Sequence, residues 1–594
     1  MTPLAEWSQS NTEHGLLVAF GEFLQQHGLL QQLLQVPISQ KTCTFPPQAK
    51  LIEFLAGIMS GIEFLSDLND GPHPLAKDVM VARTWSLPHW AHYSTVSRTL
   101  AACDAQTVQA VQQAIESFSQ PFIRESVQEL LGAGLAVLYD LDLMGQPVSA
   151  TSTGYPQAAF GWMDDQVRLG YQLARICLTT KSGARIWLQG FHHPGDTVSA
   201  PCLQELIRAA ETQAGVRPHR RTDLVQQRIA AHQANFTRPQ RLLKQHHDRQ
   251  HHLHQTRRQV HLQIAQAEQT LKTPISAAKS ARLQQQLQGW QRRLPRLEQQ
   301  LATCVQALAH HQATVTQLTA ELTVLQNWLA QLETDNRTNP DPPHCRVRMD
   351  GGFGSGSNLT WLIEMGYAVD TKALSDKTTQ TLRAQVTPAM TWTRVGDNAE
   401  MIAWPDYYMH ACPYPLTVGL EHFKTGVADK YATLVRFRAE TTPRVLRTWF
   451  AEYNGRQTIE AGNKELKSGV FHVQHLMSHS LPGIQIQVLF AGLAANTVRW
   501  CMPWIRTCVT QGTPKIQQTL RSPKHMVRVA ANASAWVQQT VSGTALRFAP
   551  TSALSGVILI LKGVPAFQLP LGFQEPCKIA SETTNRPLVA QNLG

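Results

Sequence analysis

No C-x-x-C pair occurs anywhere in the 594 residues, and the ten cysteines are scattered. That argues against a zinc ribbon or a disulfide framework and for a reducing compartment. The opening stretch MTPLAEWSQSNTEHGLL lacks a basic segment followed by an apolar one, so no export signal is expected. A long uninterrupted apolar run is missing too. The most apolar stretch, GIQIQVLFAGLAANTVRW, contains Gln485, Gln487 and Asn496. It is too short and too polar for a bilayer and reads as a buried amphipathic helix. The expectation is a soluble, cytoplasmic protein with no membrane partner.

What is present in excess is positive charge: 53 Lys+Arg against 42 Asp+Glu, a net charge of +11. Such a balance favours a polyanionic partner, although ribosomal and membrane-surface proteins share it. The length asks for three or more modules.

Residues 1–130 have helical texture. Within them HYSTVSRTL (92–100) puts small polar residues and Arg98 at the opening of a helix, as in a helix-turn-helix recognition segment. An ordinary N-cap at Ser94 or Thr95 is the plainer alternative. At residue 134 the texture changes: GLAVLYDLDL is a nearly continuous apolar run, the mark of a strand covered on both faces. LGYQLARICLTT and ARIWLQGF follow as strands around the turn KSG, and PCLQELIRAAETQAG closes the unit as a helix.

From Leu283 to Leu332 apolar positions recur in steps of four and three, the spacing of a coiled coil. A weaker upstream arm, Val225 to Leu271, has polar seam positions, and KTPIS (272–276) supplies the turn of a hairpin. Each arm would reach roughly 70 Å. Pro239 and Pro295 are expected to kink or interrupt it. The first arm and its lead-in, 217–258, carry ten Lys+Arg against Asp223 and Asp248, which suits a hairpin reaching along a polyanion. A dimerisation rod and a solvated spacer are the rival readings. Strand texture resumes at CRVRMDGGFGSGS, and residues 367–440 alternate short strands with turns.

Four acidic residues stand out. Asp140 and Asp142 lie two apart on the first apolar strand and so face one side. Carboxylates there cost several kcal/mol unless compensated, by a cation site or by a paired arginine. Asp350 ends a second strand just before GGFGSGS, where glycines turn the chain sharply; alone, D-G-G is merely a turn. Glu460 lies in YNGRQTIEAGNKELK (453–467). If that segment is one helix, Tyr453, Arg456, Glu460 and Lys467 form a single polar stripe. An i,i+4 pair of Arg456 with Glu460 explains two of the four. Gly455 and Gly462 weaken the helix. The histidines of HHDRQHHLH (246–254) and FHVQHLMSHS (471–480) fit coiled-coil surface and local structure better than metal ligation.

Together these residues resemble the RNase H-like DDE transposases of bacterial insertion sequences, in the cut-and-paste branch that carries Y-x2-R-x3-E-x6-K. Tyr453, Arg456, Glu460 and Lys467 match that element, and RMDGGFGSGSNLTWLIEMGY resembles the branch's second-Asp block. DLDLMGQPV fits the first block less closely, since Met144 stands where a Thr commonly follows. The choice between Asp140 and Asp142 therefore stays open, with Asp142 preferred. The likeness covers roughly residues 90–215 and 344–505. The coiled-coil insertion between the first and second Asp departs from the pattern, while the β-rich stretch before Glu460 fits the family's usual insertion site.

The resemblance implies an α/β, RNase H-like catalytic core. Catalysis would rest on Asp142, Asp350 and Glu460, with Asp140 as a further metal ligand and two Mg²⁺ (or Mn²⁺) ions as cofactors. Tyr453, Arg456, Lys467, Arg98, Trp392 and Trp404 would contact DNA. The partner would be double-stranded DNA, meaning the element's inverted-repeat ends and its target, handled by a homodimer. The implied organisation is a helical DNA-binding region at 1–130 and core parts at 131–216, 344–371 and 429–510. The coiled coil would occupy 217–343, a β-rich insertion 372–428 and a C-terminal region 511–594. The rivals are an RNase H-like nuclease or resolvase that cuts without joining, a domesticated DNA-binding protein, and a coiled-coil scaffold.

Overall fold

The computed structural model describes residues 9–41, 45–424, 426, 429–540 and 543–562. A short strand, β1 (Gln9–Thr12), precedes the N-terminal helices. The strands of the centre are β2 (Val137–Pro147), β3 (Ala159–Met163), β4 (Gln166–Thr179), β5 (Arg185–Pro194), β6 (Cys345–Arg348) and β7 (Ala368–Lys372). Beyond them come β8 (Thr393–Arg394), β9 (Ala399–Tyr407), β10 (Leu416–Lys424) and β11 (Asp429–Phe437). All ten form one mixed sheet, ordered β3-β4-β2-β6-β7-β11-β10-β9-β8, with β5 on the free side of β4.

The apolar run of β2 sits at the middle of this sheet. It pairs parallel with β6 (Asp140 opposite Arg348) and antiparallel with β4 (Asp142 opposite Arg175). Strand β6 in turn pairs parallel with β7. Alternation then sends Val137, Tyr139 and Leu141 to one face, where they join Leu206, Ile207 and Ala210 of helix Leu203–Ala214. Asp140, Asp142 and Met144 point to the other. Met144 there shares a core with Ile459 of helix Gln457–Lys464 and Ile486 of helix Leu481–Cys508.

The β-rich stretch expected as an insertion at 372–428 does not form a layer of its own. Strand β11 pairs with β7 (Leu434 opposite Lys372, Arg436 opposite Asp370), so β8 to β10 lengthen the central sheet. Helix Pro443–Asn454 lies over that extension, with Leu446, Trp449 and Tyr453 packed on Met401 and Leu434.

The two ends of the chain, read separately from sequence, share one core. Strands β12 (Val509–Gln511), β13 (Ala535–Thr540), β14 (Gly543–Phe548) and β15 (Ile558–Leu561) make a second sheet, ordered β1-β13-β14-β15-β12. Phe20 and Phe54 of the N-terminal helices are buried in the same cluster as Phe490, Ile505 and Phe548. Helix Leu481–Cys508 is long and apolar enough to cross a membrane, yet most of it is buried as the spine of this cluster. Helix Tyr93–Ala102 contains the HYSTVSRTL run; its cap is His92, which accepts from the Ser94 N–H at 3.3 Å, and Arg98 is exposed.

Helices Thr222–Leu271 and Ala277–Arg337 form the hairpin, turning at residues 272–276. Neither Pro239 nor Pro295 interrupts its helix. The arms run antiparallel: His232 lies 2.9 Å from Glu321, and the Cys304 thiol donates to the His246 carbonyl at 3.3 Å. The root is fastened to the sheet domain. Buried Arg220 donates to Glu211 (2.8 Å) and Asp335 (2.9 Å). Glu364 accepts from Arg228 (2.8 Å), Trp328 (2.7 Å) and Tyr414 (2.7 Å). Four of the ten cations of 217–258 are thereby used internally, since Arg217 donates to the Asp335 carbonyl and Arg221 pairs with Asp223. Arg238, Arg241, Lys244, Arg249, Arg257 and Arg258 remain along the shaft.

Candidate active site

The sequence motif 453–467 does not make one uniform helix. Helix Pro443–Asn454 ends just after Tyr453, helix Gln457–Lys464 carries Glu460, and Glu465–Gly469 is a π-helical turn. Gly455 and Arg456 keep right-handed helical backbone between the first two, so Arg456 and Glu460 stay on one side. Both glycines that weaken the helix are closely packed against side chains. A Cβ at Gly455 would sit 2.5 Å from an Arg348 guanidinium nitrogen, and one at Gly462 would sit 3.0 Å from Arg185 and Trp187. The π turn redirects Lys467 toward the β3–β4 hairpin, where its ammonium lies 2.9 Å from Asp164.

Three carboxylates converge around Arg456. Asp142 comes from the middle of β2, Asp350 from the turn two residues past β6, and Glu460 from the helix above. The Arg456 guanidinium is 3.5 Å from Asp142 and 3.4 Å from Glu460. Those contacts are longer than a well-made charged hydrogen bond. Burial pushes the Asp142 carboxyl up to about 6; Arg456 opposes this, while Asp350 and Glu460 add to it. Burial likewise raises Asp350, against the pull of Arg456. The guanidinium loses hydration, yet Tyr453 and the three carboxylates hold its pKa above the ordinary value.

The cluster is incompletely satisfied. Asp350 Oδ1 is buried without a hydrogen-bond partner, and so is Asn463 Oδ1. Asn463 spends its amide N–H on Asp142 Oδ2 at 2.5 Å. This asparagine, three residues after Glu460 and buried, was not read from the sequence; its in-phase spacing was the available signal. The three acids present only oxygen donors, with an orphaned carboxylate oxygen among them, which suits a hard divalent cation.

Asp140, expected as a fourth metal ligand, is engaged elsewhere. Both of its oxygens accept from Arg348 (2.7 and 2.8 Å), and Oδ2 also accepts from Thr179 at 2.7 Å. It is fully buried, and its charge is already answered by the Arg348 guanidinium.

Of the other expected DNA contacts, Tyr453 adjoins Arg456 and Asp350, whereas Trp392, Trp404 and Arg98 lie apart from the triad. Tyr453 is buried: its hydroxyl donates to the Met349 carbonyl at 3.4 Å, and the Lys372 ammonium is 5.8 Å from its ring. Burial raises its phenol. Trp404 pairs with Val418, on the sheet face opposite to Glu421, Gly419 and Tyr453. Trp392 packs on that same far side, 5.4 Å from the His422 ring. Both are half-buried against the core, so the sheet itself separates them from the three acids. Arg98 sits on the surface of the N-terminal helical region. Glu421 was also missed: fully buried with both oxygens unpartnered, it is pushed by burial up to about 7, against the Lys372 charge.

Comparison with protein families gives one match: residues 272–497 correspond to the transposase DDE domain. The matched segment contains Asp350, Glu460 and the second hairpin helix, and it begins after Asp142. No curated protein matches the chain. The match supports a transposase, hence an enzyme acting on DNA, in a family that generally uses divalent metal ions.

Proposed function

We propose that this chain is an RNase H-like, cut-and-paste transposase of a bacterial insertion sequence, which cleaves the ends of its element and joins them to target DNA. The observation that carries the reading is the convergence of Asp142, Asp350 and Glu460 on one incompletely satisfied site. Two further features support it. The strand order β5-β4-β2-β6-β7, with only β4 antiparallel to its neighbours on either side, is the arrangement expected of an RNase H-like core. The acids stand on β2, just past the parallel β6, and on a helix across that same face.

In this reading Asp142, Asp350 and Glu460 hold two Mg²⁺ or Mn²⁺ ions. Ions so bound would supply Lewis-acid activation of water and charge neutralisation at the leaving 3′ oxygen. The residues around them have separate tasks. Asn463 orients Asp142 and keeps one of its oxygens turned inward. Arg456 neutralises the three acids in the free protein, then offers its planar fork to a phosphate once cations relieve it of that role. Lys467 gives a point charge at the rim, beside the β3–β4 hairpin. Tyr453 acts through position: it fixes the backbone at Met349, the residue before Asp350. The homodimeric assembly on paired ends, the recognition role of Arg98 and the cytoplasmic site of action belong to this proposal as well.

The test uses the full chain, Mg²⁺ and labelled duplexes made from the DNA that flanks its coding region. Asp142→Asn, Asp350→Asn and Glu460→Gln should each lose strand cleavage while retaining end binding, because removing a negative charge near DNA does not weaken it. Asp140→Asn should lose stability instead. A triad variant that still cuts would overturn the assignment, and cutting without any joined product would favour a nuclease.

A further inference from the structure

Away from the triad, the end of β5 and the start of helix Leu203–Ala214 bring together His193, Cys202 and Glu205. Their ligand atoms, an imidazole nitrogen, a thiol sulfur and a carboxylate oxygen, all lie within 4.8 Å of one another. His193 Nε2 and Glu205 Oε1 pair at 2.7 Å, on side chains that are 22% and 39% exposed. Cys202 is almost fully buried, and its thiol has only a long contact, 3.6 Å, to the Val198 carbonyl. An imidazole–carboxylate pair and a buried thiol thus face a common centre, with the thiol outside the pair.

We propose that His193, Cys202 and Glu205 form a zinc site, with water as the fourth ligand. The donor set is the argument. Nitrogen, thiolate sulfur and one carboxylate oxygen suit a borderline-soft cation that accepts tetrahedral geometry; to reach ordinary zinc bond lengths the His193–Glu205 pair opens from 2.7 Å to roughly 3.3 Å while the sulfur moves in. It is chemically distinct from the all-oxygen triad, so the two sites sort different metals. Burial, with the nearby Glu205 charge, pushes the Cys202 thiol up to about 11. Binding therefore expels the thiol proton to solvent and strengthens as pH rises.

The location gives the site a task. Ser199, in the loop between His193 and Cys202, lies so close to Gly352 that a Cβ there would come within 2.6 Å of its hydroxyl and 3.2 Å of Asp350 Oδ1. Asn358, in the helix after that turn, donates to the Ala200 carbonyl at 2.9 Å. A zinc ion tying β5 to the following helix would fix the loop against which the Asp350 turn is packed.

The experiment titrates Co²⁺ and Cd²⁺ into the chelator-treated full chain and follows the sulfur-to-metal charge-transfer absorption, which the sulfur-free triad cannot produce. One equivalent of metal should develop the band, Cys202→Ser should abolish it, and Asp350→Asn should leave it intact. Zn²⁺ should raise the melting temperature of the native chain and of Asp350→Asn, but not of Glu205→Gln, a variant that keeps the buried thiol and its packing. Absence of the band, its persistence in Cys202→Ser, or an equal zinc-dependent shift in Glu205→Gln would overturn the site. Because the readouts are spectroscopic and thermal, failure here is separate from failure of the cleavage assay.

Discussion

Asp140 and Asp142 stand two residues apart on one strand and face the same side of one sheet, yet their surroundings are opposites. Around Asp140 every charge is answered. Arg348 binds it with two hydrogen bonds, and Arg346 and Arg436 each bridge Asp370 to Glu452. Around Asp142 one guanidinium lies 3.5 Å from Asp142 and 3.4 Å from Glu460, Asp350 adds a third charge nearby, and one buried Asp350 oxygen has nothing to accept. Identical chemistry on one face has been closed in one place and left open in the next. A closed network of buried charges holds strands together, and an open one is a place for a ligand.

The largest expected effect comes from opening the closed side. Arg348→Ala leaves Asp140 buried without its counter-ion, and unfolding by urea should show a loss of about 3–5 kcal/mol. An effect below about 1 kcal/mol would mean that the two neighbourhoods are not different in kind.

Asp142→Asn should do the reverse to the metal-free protein. Its folded pKa, about 6, lies above the ordinary aspartate value of 3.8, so the folded state binds the proton more tightly. Stability contributed by that proton is full below pH 4 and is lost as pH rises through 6. At pH 8 the native aspartate should therefore cost roughly 2–3 kcal/mol, at 1.36 kcal/mol per pKa unit. Without divalent ions, Asp142→Asn should melt higher than the native chain at pH 8 and equally at pH 4. A pH-independent difference would sink the explanation.

The smallest effect belongs to the rim. Lys467→Ala breaks a partly exposed pair with Asp164, for a change of about 0–1 kcal/mol in stability. The slope of log affinity for DNA against log salt should flatten by about one unit. An unchanged slope would confine Lys467 to its ion pair.

Much of this was readable in advance, for a physical reason in each case. The apolar run around Asp140 and Asp142 could only be a central strand, and an apolar seam broken at KTPIS could only be a hairpin. What could not be read depends on residues distant in sequence. Nothing near Asp140 says that Arg348 will claim it. Gly455 and Gly462 look like helix breakers until Arg348, Arg185 and Trp187 are seen pressing on them. The basic lead-in of the hairpin looked wholly available to DNA, whereas Glu211, Asp335, Glu364 and Asp223 take up part of it. Trp392 and Trp404 were assigned to DNA by the resemblance alone, because strand alternation fixes a face but not which face the acids occupy. The strand QSNT, four polar residues, has no signature of its own and exists because β13 lies beside it.

That last pairing bears on the order in which a ribosome can finish the molecule. Gln9 is opposite Gln538, so the first strand emerges about five hundred residues before its partner. At roughly 5–20 residues per second this is a wait on the order of half a minute or more. During it the N-terminal helices lack Phe490, Ile505 and Phe548, the residues that close their core. The region bearing Arg98 is thus completed only after β13 has been made. Any chain that stops before helix Leu481–Cys508 would leave the apolar face of the N-terminal helices uncovered.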